Sequence, residues 1–322
     1  MRLKLVPSKT NFDFFGTARL TFGASLLAMV ASIILFFVVG LNYGIDFRGG
    51  TTIRTESTQA VDVAAYRGVL QQLDLGDISI TEVFDPTFEA DQNVAMVRIQ
   101  AQEGSESVTA DTVNAVEEAL RQIDPGMKFP SVESVGPKVS GELIQTAVIA
   151  VVLAIAAVLF YIWLLFEWQF SLGAVAALVH DVVLTIGIFS ILQIQFDLAI
   201  IAALLTIVGY SLNDTVVVFD RVRENLIKYK KKPLKEVLNL SINETLSRTV
   251  MTSGTTLIAL ISLLVLGGDV IRGFVFAMTW GVIVGTYSSV FVASNILLYL
   301  GTKRDWTKPD ANQGNQYANI DA

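Results

Sequence analysis

The sequence has 322 residues, 52% of them hydrophobic and 16% charged, with a mean hydropathy of +0.56 and a formal net charge of −7. That charged fraction lies well below the roughly 25% of soluble domains and is the composition of an integral membrane protein. With no cysteine and one histidine, His180, the sequence excludes disulfides and thiolate chemistry and does not support a histidine-built zinc or di-iron centre.

In chain order, a basic N-terminal stretch (1–17, with Arg2, Lys4 and Lys9) precedes an apolar run over 18–41. The run is too long for a cleaved signal peptide and has no clear small-x-small cleavage site, so it is read as the first transmembrane helix. The next segment, 42–142, is a polar domain. "TTIRTE" (51–56) is strand-like, "VDVAAYRGVLQQL" (61–73) helix-like, and "ISITEVF" (78–84) and "NVAMVRIQ" (93–100) alternate as strands. "TADTVNAVEEALRQI" (109–123) repeats apolar residues at helical spacing behind a Thr/Asp cap, and "KFPSVESV" (128–135) is extended. The order βαββαβ predicts an α+β, ferredoxin-like domain between the first two helices. It shows no metal or nucleotide cluster.

Five further apolar stretches are each about 20 residues or more, the length needed to cross a bilayer. They are 143–166, 170–192, 197–219, 248–267 and 271–299. Trp163 and Trp168 flank the turn between two of them as interfacial anchors. A basic loop, 220–247, separates the fourth and fifth, and 300–322 reads as a disordered tail. Residues 46–142 hold 7 Lys/Arg against 17 Asp/Glu, whereas 221–247 hold 7 against 3. Short basic loops stay cytoplasmic. Both termini and the basic loop therefore face the cytoplasm, and the acidic domain faces outward.

Three strings carry a resemblance. "GIDFRGGT" (44–51) follows the first span; its Gly49 and Gly50 permit positive φ where the chain enters the sheet, and Asp46 and Arg48 are placed for a salt bridge or backbone caps. "VESVGPKVSGEL" (132–143) leads into the second span. "GYSLNDTVVVFDRVREN" (209–225) is followed by "NETLSRTVMTS" (243–253). Together they resemble the SecD/SecF family of bacterial protein-export proteins, its SecF branch in particular, over nearly the whole chain. The resemblance implies half of an RND-like assembly, a separate SecD polypeptide as heterodimer partner, and the SecY/SecE/SecG translocon, with YajC and YidC as further partners. It also implies an outer domain in the periplasm, an inner-membrane location, a translocating polypeptide as cargo, and protons as coupling ion with no other cofactor. Nucleic acid has no place in it.

The intramembrane polar residues carry the chemistry. An ionisable side chain within a span costs roughly 2.5–3.5 kcal/mol on insertion scales unless paired or hydrated. Asp214 lies six residues before Asp220, roughly 9 Å inside the cytoplasmic edge. Arg248 opens the next, antiparallel span at similar depth, so the two can face each other. Thr206, Tyr210 and Asn213 or Asp214 share one helical face, as do Arg248, Thr252 and Thr255. Two such stripes make a hydrated path. The resemblance places a functional aspartate and a functional arginine at Asp214 and Arg248, read here as a proton relay in which Asp214 binds and releases the proton while Arg248 approaches and withdraws, supported by Asn213, Thr252, Asp181 and Tyr210. A static buried ion pair is the alternative.

His180 and Asp181 are read either as a second titrating pair or as hydrogen-bonding residues between helices, the plainer reading being preferred for His180. Gly281, Gly285 and Ser289 form a small-xxx-small seam, intramolecular or toward SecD. Two other functions compete. A stand-alone RND-like exporter of lipids or small hydrophobic molecules would need two six-span halves. An intramembrane aspartyl protease built on Asp181 and Asp214 would want the usual Gly-x-Gly-Asp context, which "GYSLND" lacks. The chain is therefore expected not to be an enzyme.

Overall fold

The computed structural model describes residues 10–86, 88–89, 92–100 and 109–302. The basic residues before 10 and the tail from 303 onward lie outside them.

Six helical stretches among the described residues are long and apolar enough to cross a membrane. α1 (Ala18–Val38) is the first. After the short α2 (Ile45–Arg48) comes the α+β domain: β1 (Gly50–Ser57), α3 (Val63–Leu70), β2 (Ile78–Val83), β3 (Asn93–Gln100), α4 (Ala110–Arg121) and β4 (Lys128–Val135). The remaining spans are α5 (Pro137–Leu165), α6 (Trp168–Leu192), α7 (Leu198–Lys228), α8 (Leu234–Leu266) and α9 (Asp269–Ser288). α9 continues through a π-helical turn, Ser289–Ala293, into α10 (Ser294–Leu300).

The sheet is antiparallel in the order β2-β3-β1-β4, as the βαββαβ reading predicts. Strand alternation assigns its two faces. Ile53, Ile80, Val97 and Ile99 pack with Tyr66 and Leu70 of α3 and Val116 and Leu120 of α4 in one apolar core. Burying each large side chain contributes about 1.5–3 kcal/mol. Thr52, Arg54, Met96, Arg98 and Glu133 occupy the opposite face and line a cavity of about 690 Å³ against the membrane helices. Burial pulls the Arg98 guanidinium below its ordinary value, and Asp197 pulls the other way. Asp269, in the first turn of α9, ties the domain to the bundle by accepting from the Phe84 N–H at 2.7 Å, while its own N–H donates to the Phe84 carbonyl at 2.9 Å.

α7 and α8 run past their apolar stretches. Most of the segment expected as a basic loop over 220–247 is helix, and the connection between them falls at 229–233. Val222, Leu226, Val237, Leu238 and Ile242 bury one face of this pair, and the charged residues form a network outside it. Arg221 reaches Glu244 at 2.7 Å and Glu224 at 2.5 Å. The segment before α1 docks on α8, where Asn243 accepts from the Phe12 N–H at 2.8 Å and donates to its carbonyl at 2.9 Å.

Candidate functional site: buried carboxylates in the helix bundle

The site rests on how closely α7 and α9 approach. A Cβ at Gly281 would fall 2.3 Å from Ile207 Cγ1, and one at Gly285 would fall 3.0 Å from Ser211 Cβ. The small-xxx-small seam is thus used within the chain, and close backbone approach lets short side chains bond across it.

Asp214 of α7 faces inward and is 8% exposed. Its Oδ1 accepts from Thr249 Oγ1 of α8 at 2.5 Å, and its Oδ2 accepts from Ser289 Oγ at 2.5 Å. Asp181 of α6 is 1% exposed. Its Oδ2 accepts from Ser211 Oγ of α7 at 2.6 Å and from Ser288 Oγ of α9 at 2.8 Å, and its Oδ1 lies 3.0 Å from His180 Nδ1. Each carboxylate therefore has its own pair of hydroxyl donors on neighbouring helices. Charge-assisted hydrogen bonds of this kind are shorter and stronger than neutral ones. Adjacent serines, Ser288 and Ser289, serve the two different carboxylates where α9 passes into the π-helical turn. Such turns change which residues face inward and recur at functional sites.

Arg248 is not where the facing stripes put it. Thr249, its neighbour, holds Asp214, while Arg248 is exposed and lines a cavity of about 280 Å³ with Asp220 and Arg223. Among the described residues it makes no ion pair. The depth is right and the rotation is not. One residue turns an α-helix by about 100°, enough to carry Arg248 off the inward face. Asn213 and Thr252 share that exposed side. Thr252 Oγ1 is satisfied by the Arg248 carbonyl at 3.0 Å. Tyr210 Oη donates to Thr256 Oγ1 at 3.4 Å, a link from the α7 stripe to α8. Of the two residues offered for the end of the α7 stripe, Asn213 stays on the exposed side and Asp214 turns inward.

At the junction with the α+β domain, Asp46 Oδ2 accepts from the Leu198 N–H at 3.0 Å, and Asp197 Oδ1 accepts from the Ile200 N–H at 3.2 Å. Both carboxylates sit at the N-terminus of α7, where unpaired N–H groups favour negative charge. Of the two arrangements expected for Asp46, the structure uses the cap. Among the described residues neither Asp46 nor Arg48 makes an ion pair, and Arg48 borders a cavity of about 370 Å³ together with Arg67 and Arg98. Gly49 at φ 74° and Gly50 at φ 137° take the backbone from α2 into β1, conformations that L-residues rarely adopt.

Sequence reasoning missed three donors: Thr249, Ser211 and Ser288. The signal for Thr249 and Ser288 was the run of hydroxyls in "SRTVMTS" and "TYSSVF", the latter also holding Ser289, read above as a packing residue; Ser211 stands alone in "GYSLND". Among the described residues no group of three or more His, Asp or Glu is placed to hold a metal.

Comparison with known proteins agrees with the fold and extends it. Residues 115–303 match the family described as protein export membrane protein SecD/SecF, C-terminal, and residues 34–61 match the SecD/SecF GG motif. The protein translocase subunit SecF of Cereibacter sphaeroides is 67% identical over 321 residues, covering 100% of this chain and 99% of that relative. The subunit of the same name from Rhodobacter capsulatus is 64% identical over 315 residues, covering 96% and 95%. The crystal structure of SecDF, a translocon-associated membrane protein from Thermus thermophilus, superposes with a TM-score of 0.80 at 35% identity over 93% of this chain. This chain spans 40% of the length of that one. With its GG turn, its six spans and its α+β insertion matched along their length, the chain belongs to the SecD/SecF family of protein-export membrane proteins, in its SecF branch.

Proposed function

We propose that the chain is the SecF subunit of the Sec export machinery and that, with SecD, it uses the proton motive force to promote late translocation of proteins across the bacterial inner membrane. The names of its relatives support the export role. The lysine and arginine distribution supports cytoplasmic termini and a periplasmic α+β domain. SecY, SecE and SecG are the partners at the channel, and YajC and YidC extend the assembly.

A separate SecD half is supported by the exposed polar side of α7 and α8. Arg248, Asn213 and Thr252 lie on it, and an arginine facing lipid at this depth is costly. A second six-helix half that covers this face removes the cost.

The observation that carries the proton role is Asp214, a nearly buried carboxylate held, among the described residues, by hydroxyls alone. A hydroxyl can donate or accept. When a proton reaches Asp214, the carboxyl itself becomes a donor and Ser289 can turn to the Thr286 carbonyl, 3.1 Å from its Oγ. Arg248 stands one residue before Thr249 and away from the carboxylate, the arrangement expected when the guanidinium is withdrawn. A rotation of α8 by roughly one residue, about 100°, exchanges Thr249 for Arg248 against an ionised Asp214. Protonation releases it again. The cycle converts proton passage into helix movement, which the α+β domain, docked on α9 and the start of α7, carries to the outer side.

The test is export in membrane vesicles with and without a proton gradient. Asp214→Asn at wild-type protein level is expected to lose the gradient-dependent part of export and keep the remainder. Gradient-dependent export at the wild-type rate would overturn the reading.

A further inference from the structure

His180 is 0% exposed, and its Nε2 has no hydrogen-bond partner among the described residues. Its Nδ1 lies 3.0 Å from Asp181 Oδ1, and the ring stacks on Tyr287 at 6.1 Å between centroids. Asp181 already accepts from Ser211 and Ser288. With that carboxylate ionised, Nδ1 carries the hydrogen and donates to it, leaving Nε2 as a bare lone pair. In this form the pair holds one negative charge inside the bundle. A proton added at Nε2 makes an imidazolium–carboxylate pair with no net charge, which burial in apolar surroundings favours.

The pair is joined to Asp214 through two consecutive residues. Ser288 Oγ is 2.8 Å from Asp181 and 3.2 Å from the Gly285 carbonyl; Ser289 Oγ is 2.5 Å from Asp214 and 3.1 Å from the Thr286 carbonyl. Each serine thus has two acceptors within reach, a carboxylate and a backbone carbonyl one turn back. Both stand at the entrance to the π-helical turn. Of the helices packed on α6, α7 supplies Asp214 and α9 supplies Tyr287 as ionisable groups at this level. Tyr287 Oη donates to the Thr21 carbonyl at 2.9 Å and lies 3.0 Å from Ser25 Oγ. Arg19 of α1 is exposed.

We propose that His180 and Asp181 form a second proton-binding site, coupled to Asp214 through the Ser288–Ser289 pair. Two negative charges on either side of one serine pair oppose each other, and a proton on one site relieves that opposition. The two sites therefore share a single proton over the working range. The bundle alternates between a form with Asp214 neutral and one with His180 charged, and the serines reorient with each. This rests on the reading of Asp214 as the relay acid.

The single histidine makes the test clean. The full chain, labelled with 15N-histidine, is combined with unlabelled SecD in lipid nanodiscs and titrated by solid-state NMR. Over an experimental pH window of about 5–8 the wild-type imidazole signals are expected to report proton uptake at Nε2. In Asp214→Asn the pH response of those signals is expected to differ from that of the wild type. In Asp181→Asn the proton uptake at Nε2 is expected to be lost. A wild-type signal that stays flat across the window overturns the proposal without any variant having to fold, as does an equal pH response in wild type and Asp214→Asn. A flat His180 signal together with lost gradient-dependent export in Asp214→Asn removes the second site and keeps the relay. Normal export by Asp214→Asn removes the relay on which the coupling rests and overturns both.

Discussion

The α+β domain and the helix bundle each hold a carboxylate that is almost fully buried, and they hold it differently. Asp124, 3% exposed, accepts from the Thr58 N–H at 2.6 Å and the Gly126 N–H at 2.9 Å, with the Ser57 and Thr58 hydroxyls completing the set. The Thr58 N–H, ahead of the other donors, holds its carboxyl down to about 2 from 3.8. Among the described residues Asp214 and Asp181 have no backbone donor; hydroxyls and one imidazole hold them. A backbone N–H can only donate, so the site favours the charged form of Asp124, which staples the loop after β1 to the end of α4. A hydroxyl can reverse its role. Peptide donors favour the charged carboxylate alone, whereas hydroxyl donors can follow a change of charge.

That contrast can be broken in three places. The largest effect is expected at Thr249. Thr249→Val keeps the shape and removes one donor, and a hydrogen bond to a charged group is worth about 1.5–3 kcal/mol. Gradient-dependent export in vesicles should fall about tenfold or more, and Thr249→Ser should restore it; equal rates for Val and Thr would mean that the donor plays no part in the relay. Next is the junction between the regions. Gly50→Ala forces an L-residue into φ 137°, at a cost of about 1–3 kcal/mol. It should lower the thermal midpoint of the purified chain, while Asp124 and Asp214 keep their separate behaviour.

The smallest effect is expected at Asp124. Its depressed value means that the stabilisation it gives is present above the unfolded value near 3.8 and is lost as pH falls toward about 2. Asp124→Asn should be less stable at neutral pH and should lose the part of the acid transition between about pH 4 and 2 that belongs to this group, followed by circular dichroism. The gradient dependence of export should be unchanged.

The domain was legible because its signals are local. Strand alternation in 93–100 and the capped helical repeat from Thr109 fix both period and facing, and the observed elements start and stop within a few residues of those expected. Asp214 was legible because a carboxylate in an apolar run stands out. Its partners were not, because they depend on how each helix is rotated about its axis. A polar stripe pointed to Arg248, yet Thr249 one residue on carries the contact. Ser288 and Ser289 both face inward only at the π-helical turn, which leaves no mark in residue type. The helical continuation of α7 through Asn225 and Leu226 did leave one. Val222, Leu226, Val237, Leu238 and Ile242 fall at helical spacing, and the lysines between them masked it.

The most direct measurement is proton flux into proteoliposomes that hold the chain with SecD and the translocon, read by a lumenal pH dye while a substrate protein is being exported under an imposed gradient. Asp214→Asn should bring the export-linked flux to background, and Asp124→Asn should leave it at the wild-type rate. Wild-type flux through Asp214→Asn, with the protein present at the same level, would contradict the claim that this hydroxyl-held carboxylate carries the proton.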